Sequence, residues 1–76
     1  MNKDRRARID DLSIKLEDIK EAIEKLHDEE QEGFDNLPEG IQESERGELM
    51  ESAVSSLDEA GSAIKEAMNA LMAAAE

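Results

Sequence analysis

Pro38 is the only proline in this 76-residue chain, and a long seven-residue repeat runs up to it from one side and away from it on the other. Inside a helix, proline removes a backbone donor and clashes with the preceding turn, at a cost of about 3 kcal/mol. Gly33, Gly40 and the Asp35-Asn36 pair surround it, and all of these are turn residues. A single helix through the whole chain is therefore not expected, and the sequence predicts a reversal at this point.

On the N-terminal side, Ile9, Leu12, Leu16, Ile19, Ile23 and Leu26 alternate in steps of three and four. That spacing is a heptad seam, with Ile9, Leu16 and Ile23 at position a and Leu12, Ile19 and Leu26 at position d. It predicts a first helix over about residues 4–32, a loop over about 33–44 and a second helix over about 45–75. Ser44 is the expected N-cap, and Glu45 and Glu48 suit the positive end of the helix dipole. In the second helix Met50, Leu57, Ile64 and Leu71 recur every seven residues, and Ala53, Ala60, Ala67 and Ala74 follow three places later. This alternation of large residues with alanine permits close backbone approach. A register symmetric about Pro38 would set Leu26 against Met50, Ile19 against Leu57 and Leu12 against Ile64, with Ile23, Leu16 and Ile9 facing Ala53, Ala60 and Ala67. Phe34, Leu37 and Ile41 would fold back over the open end. The fold class read from these features is all-α: one domain over residues 1–76, an antiparallel two-helix hairpin with coiled-coil and alanine-rich packing.

A chain this short seldom builds a core worth more than about 3–5 kcal/mol, and small folds usually add disulfides, a metal or self-association. Cysteine is absent and His27 is the only histidine, which leaves self-association. The second helix also carries Leu49, Ala63 and Ala70 at g and Val54, Gly61 and Met68 at e, an apolar face wider than one neighbour covers. Leu49, Val54, Gly61, Ala63, Met68 and Ala70 are the expected oligomer interface, joining hairpins into a helical bundle of two or more chains.

The formal charge is −12. Residues 1–8 run against the trend, with Lys3, Arg5, Arg6 and Arg8 opposing Asp4, whereas residues 9–32 hold ten acids and three lysines. Such an acidic surface repels nucleic-acid phosphates, so duplex binding is not expected. No stretch approaches the ~20 apolar residues of a membrane span, and the N-terminus begins in charged residues, so a cytoplasmic protein is expected.

Asp28, Glu30, Glu32, Gly33 and Glu39 fall at positions 1, 3, 5, 6 and 12 of a calcium-loop template. Asp35 and Pro38 spoil the match, and a solvated acidic helix end is the preferred reading; no metal or cofactor is expected. Carboxylates that serve as acid and base need a partly dry pocket, which two helices and one loop do not offer, and no nucleophile or phosphate-loop motif occurs. His27 reads as a boundary residue beside the seam. The chain is read as no enzyme. Glu30, Glu32, Asp35 and Glu39 are the candidate contacts for a partner with a basic surface. Arg5, Arg6 and Arg8 form an alternative site for an anion such as a small nucleotide, or simply face the negative end of the second helix near Glu76.

The segment Asp28-Glu-Glu-Gln-Glu-Gly-Phe-Asp-Asn-Leu-Pro-Glu-Gly-Ile-Gln-Glu-Ser-Glu-Arg-Gly-Glu48, with the alanine- and serine-rich acidic helix after it, resembles small acidic helical-hairpin proteins of bacteriophages and prophages. The resemblance carries over no functional residue. It implies a context, in which small acidic phage proteins bind a host factor, including components of defence or transcription. Three roles follow as expectations. The first is a homo-oligomeric binder of a host macromolecule, such as an anti-defence inhibitor or nucleic-acid mimic. The second is a sponge for an anionic nucleotide, and the third a structural assembly module.

Overall fold

The computed structural model describes residues 1–76 and forms three helices: α1 (Lys3–Asp35), α2 (Glu39–Gln42) and α3 (Glu45–Ala75). The long helices α1 and α3 pack against each other in a body 58 Å long and 15 by 12 Å across. One uninterrupted helix of this chain would exceed about 100 Å at 1.5 Å per residue. The chain is a hairpin, and no helix is long and apolar enough to cross a membrane.

Local chemistry explains where α1 begins and ends. Asn2 is extended, and its Oδ1 accepts a hydrogen bond from the Arg5 backbone N–H at 2.8 Å, which satisfies one of the free donors of the first turn. The helix does not stop at residue 32 as the glycine suggested. Gly33 stays helical at a cost of about 1 kcal/mol, and α1 runs through Phe34 to Asp35. Termination follows from Pro38, which steers the residue before it away from helical angles. Beyond it, the Pro38 carbonyl accepts from the N–H groups of Ile41 and Gln42 at 2.8 and 3.0 Å and starts the single turn of α2. The expected loop thus contains a helix.

The corner is tied at two points. Gln42 Nε2 donates to the Phe34 carbonyl at 3.1 Å, covering an acceptor at the open end of α1. Ser44 stands at the N-cap of α3, but its side chain does not cap that helix; its hydroxyl donates back to the Ile41 carbonyl. Gly47, in the first turn of α3, is the one buried residue of the chain. A Cβ there would overlap the Gln42 carbonyl group and come within 2.7 Å of its Cα, so only glycine lets α3 approach α2 this closely. Phe34 and Leu37 are half-buried at this end, whereas Ile41 is exposed.

The seam differs from the expected one in rotation and register. On α1 the half-buried row is Ile9, Ser13, Leu16, Lys20, Ile23, His27, Glu30 and Phe34, positions a and e. The d residues Leu12, Ile19 and Leu26 lie outside it, 47, 48 and 54% exposed. On α3 the matching row is Met50, Val54, Leu57, Gly61, Ile64, Met68, Leu71 and Ala75, again a and e. Ala53 and Ala60 are half-buried at its edge, while Ala67 and Ala74 are exposed. Gly61 faces Ile23, where an added Cβ would lie 3.9 Å from Cγ2, and Gly33 faces the end of Met50. The symmetric register put Ala53 opposite Ile23, so α3 sits eight residues, about 12 Å, away from that expectation. The reason is the corner: α1 continues past Gly33 and α2 takes up further residues, so the reversal is centred near Gln42 instead of Pro38.

Candidate functional site

Two long sides of the hairpin follow from this seam. One is an open groove lined by Lys20, Ile23, Glu24, His27 and Asp28 of α1 and by Leu57, Asp58, Gly61, Ser62 and Lys65 of α3. Gln31, Phe34, Glu51, Val54 and Ser55 extend it towards the corner. Apart from Ile23 and Leu57, these are b, e and f positions on both helices. Helices that run antiparallel and meet through a and e must then gather their d and g positions on the other side. That side carries Leu12, Ile19 and Leu26 from α1, and Leu49, Ala63, Ala67 and Ala70 from α3, all exposed. The hairpin therefore has one side rich in charge, on which Ile14 and Met72 also stand exposed at f and b, and one mostly apolar side.

On the charged side, Lys20 is held in the seam and bonds Glu24 at 3.1 Å. That hydrogen bond, the Glu24 charge and then Glu17 and Glu21 raise its pKa above the ordinary 10.5, against a smaller opposing effect of burial. Its ammonium is thus firmly charged. His27 Nδ1 lies 3.1 Å from an oxygen of its neighbour Asp28, and its ring is partly covered at the seam. Sequence periodicity hides this groove, because Lys20 and His27 are polar residues at e, next to the apolar heptad positions; the structure puts them in the seam.

The acidic candidates do not form one patch. Glu30 is half-buried on the seam side, while Glu32, Asp35 and Glu39 are exposed. Two residues apart on a helix, Glu30 and Glu32 point about 200° away from each other. Asp35 accepts a hydrogen bond from Gln31 at 2.9 Å. Residues 28–35 are helical, so no calcium-type loop forms there, and no three His, Asp or Glu side chains converge to hold a metal ion.

At the other end, Arg8 is bound to Asp4, with Nη2 at 2.6 Å and Nε at 3.1 Å from Oδ2. Arg5 and Arg8 lie together around a shallow depression with Met1 and Ile9, and Arg6 is not among its lining residues. The guanidinium groups of Arg5 and Arg6 have no ion-pair partner, and no ion pair joins the cluster to Glu76.

Of the expected oligomer interface, Leu49, Ala63 and Ala70 stand on the apolar side, with Leu49 66% exposed. Val54, Gly61 and Met68 instead belong to the half-buried row, where Gly61 meets Ile23 of its own chain. The residues that the heptad reading missed as surface are Leu12, Ile19 and Leu26. No family model, curated protein or solved structure matches the chain.

Proposed function

We propose that this protein is a non-catalytic, self-associating helical binding protein that presents an acidic surface to a basic macromolecular partner, in keeping with the phage-type resemblance of residues 28–48. The observation that carries this reading is the missing interior. No apolar side chain is buried, yet Leu12, Ile14, Ile19, Leu26, Leu49 and Met72 are each 47 to 66% exposed. Fully burying one such side chain is worth about 1.5–3 kcal/mol, so a surface of this kind is driven to be covered.

The partner's charge follows from the acids. Of 21 Asp and Glu side chains, only Asp4, Asp11 and Glu24 hold a lysine or arginine within ion-pair distance. The remaining field is a long-range attraction for a basic surface, which raises association rates more than it raises affinity. A host protein that handles nucleic acid has such a surface.

The test has two parts. Light scattering at micromolar concentration should give a mass of two or more chains, and a mass of one chain refutes the self-association. A pull-down from host lysate should yield a discrete protein that is lost with a Glu30→Gln, Asp35→Asn variant. Absence of any such protein, or its retention by the variant, refutes the acidic contact.

A further inference from the structure

The apolar side of α1 continues at both ends in the same seven-residue steps: Arg5, Leu12, Ile19, Leu26 and Gly33 are successive d positions. This row has a size and charge pattern that matches itself only when reversed about Ile19. Reversal sets Leu12 against Leu26 of a second copy, Ile19 against itself, and the long Arg5 side chain against Gly33, which has none. In a parallel pair, Arg5 would stack on Arg5 and the acidic ends would also coincide.

The residues bordering the row have the same logic. Arg8 stands beside it at g near the N-terminus, and Glu29 and Glu32 stand beside it at g and c near the other end. Arg5, Glu29 and Glu32 have no ion-pair partner within their own chain. Reversal about Ile19 brings Arg5 level with Glu32 of the second copy and Arg8 level with its Glu29.

The second helix supplies an independent check. Gly61 faces Ile23, and in an antiparallel pair one turn further along this sets Ile19 roughly level with Lys65 across the hairpin. A twofold axis through that level, perpendicular to the helices and lying in the plane between the two copies, would set Ala63 of α3 against Ala67 of the other copy, and Ala60 against Ala70. Ala63, Ala67 and Ala70 are exposed on the same side as the leucines, and their small size allows the α3 backbones to approach.

We infer that the apolar side is covered by a second copy of this chain in an antiparallel twofold dimer, with α1 against α1 and α3 against α3, centred on Ile19. This rests on the self-association proposed above and assigns its surface: Leu12, Ile19 and Leu26 on α1, with Ala60, Ala63, Ala67 and Ala70 of α3, form the interface, and the charged groove is left free on the outside. It also accounts for the rotation of α1. Ser13, Lys20 and His27 occupy the internal seam because the leucines face the other chain. Arg5 and Arg8 then neutralise the other copy's acids and are not open to an anion.

The chain contains no cysteine, so single cysteines report the geometry. Ile19→Cys should form a disulfide-linked dimer under mild oxidation at least tenfold faster than Asp10→Cys, which lies on the charged side. Leu12→Cys and Leu26→Cys should link poorly alone and readily when mixed. These sites are already exposed in the hairpin, so the changes leave its internal seam intact. If the unmodified protein has the mass of one chain, the inference falls together with self-association. If the mass is a multiple but Ile19→Cys links no faster than Asp10→Cys, the arrangement alone is overturned. As a second readout, Arg5→Glu should weaken dimerisation about tenfold or more at low salt and Glu32→Arg should restore it; failure of that rescue overturns the charge pairing.

Discussion

Replacing Gly47 by alanine tests the corner that sets the geometry of the hairpin. Considered only as a helical residue, the change should help, because alanine is favoured over glycine in a helix interior by about 1 kcal/mol. The corner reverses that sign. The new methyl group would occupy the space of the Gln42 carbonyl, a backbone group with no rotamer to move into. Either α2 lifts away, giving up the Gln42–Phe34 hydrogen bond, or α3 shifts along its length. Overpacking of this kind costs about 1–3 kcal/mol, and the lost bond adds about 1 kcal/mol. With the propensity gain subtracted, the expected destabilisation is about 1–3 kcal/mol. For a chain of this size, each kcal/mol shifts Tm by about 4–8 °C. Melting followed by circular dichroism at matched chain concentration should therefore show a fall of roughly 5–20 °C. Gly61→Ala is the internal control. Its methyl group would meet Ile23 Cγ2 at 3.9 Å, an ordinary contact, so the propensity gain should survive and Tm should rise. If both variants move Tm in the same direction, the close approach at Gly47 is not what holds the corner.

Asn2→Ala removes the only side-chain cap on either long helix and should cost about 0.5–2 kcal/mol, seen as fraying of the first turn by amide hydrogen exchange; unchanged protection of Arg5 and Arg6 refutes it. Lys20 has its pKa raised by Glu24, so the stability from this pair is fully present below about pH 10.5 and is lost as pH rises through the elevated value. The Tm difference between the native chain and Glu24→Gln should accordingly be constant from pH 7 to pH 9 and narrow above pH 10.5; a gap that narrows near neutral pH contradicts the assignment.

Much of this architecture can be read from residue spacing. Pro38 and its neighbours mark the break, and the run from Glu45 to Ala75 is the expected second helix. Positions a of both helices, such as Ile23 and Leu57, do lie in the seam. Periodicity fails at Leu12, Ile19 and Leu26 because a heptad locates an apolar stripe without naming the neighbour that covers it. The unbroken seam assumed one partner, whereas α1 has its own α3 on one side and an open stripe on the other. Register fails for a different reason. A symmetric pairing about Pro38 assumes that the turn is centred on its breaker, yet Gly33 is too weak a stop to end α1, and Gln42 does more to close the corner than Pro38 does. The charged groove is not legible in the sequence because Lys20 and His27 are residues that sequence rules assign to solvent, whereas their long or flat side chains lie half-covered over the seam.

The seating of α3 on Gly47 also restricts how the length of this protein can change. Past that anchor the helix turns about 100° with every residue. One residue inserted between Gly47 and Met50 would swing Val54, Leu57 and Ile64 off α1 and bring the next row of side chains round in their place. Two insertions would turn the row about 160° away, and three would still leave it about 60° off. A block of seven restores the orientation, moving the far end outward by about 10 Å while the same kinds of side chain still meet. Lineages descended from this chain should therefore differ in length by whole heptads within α3.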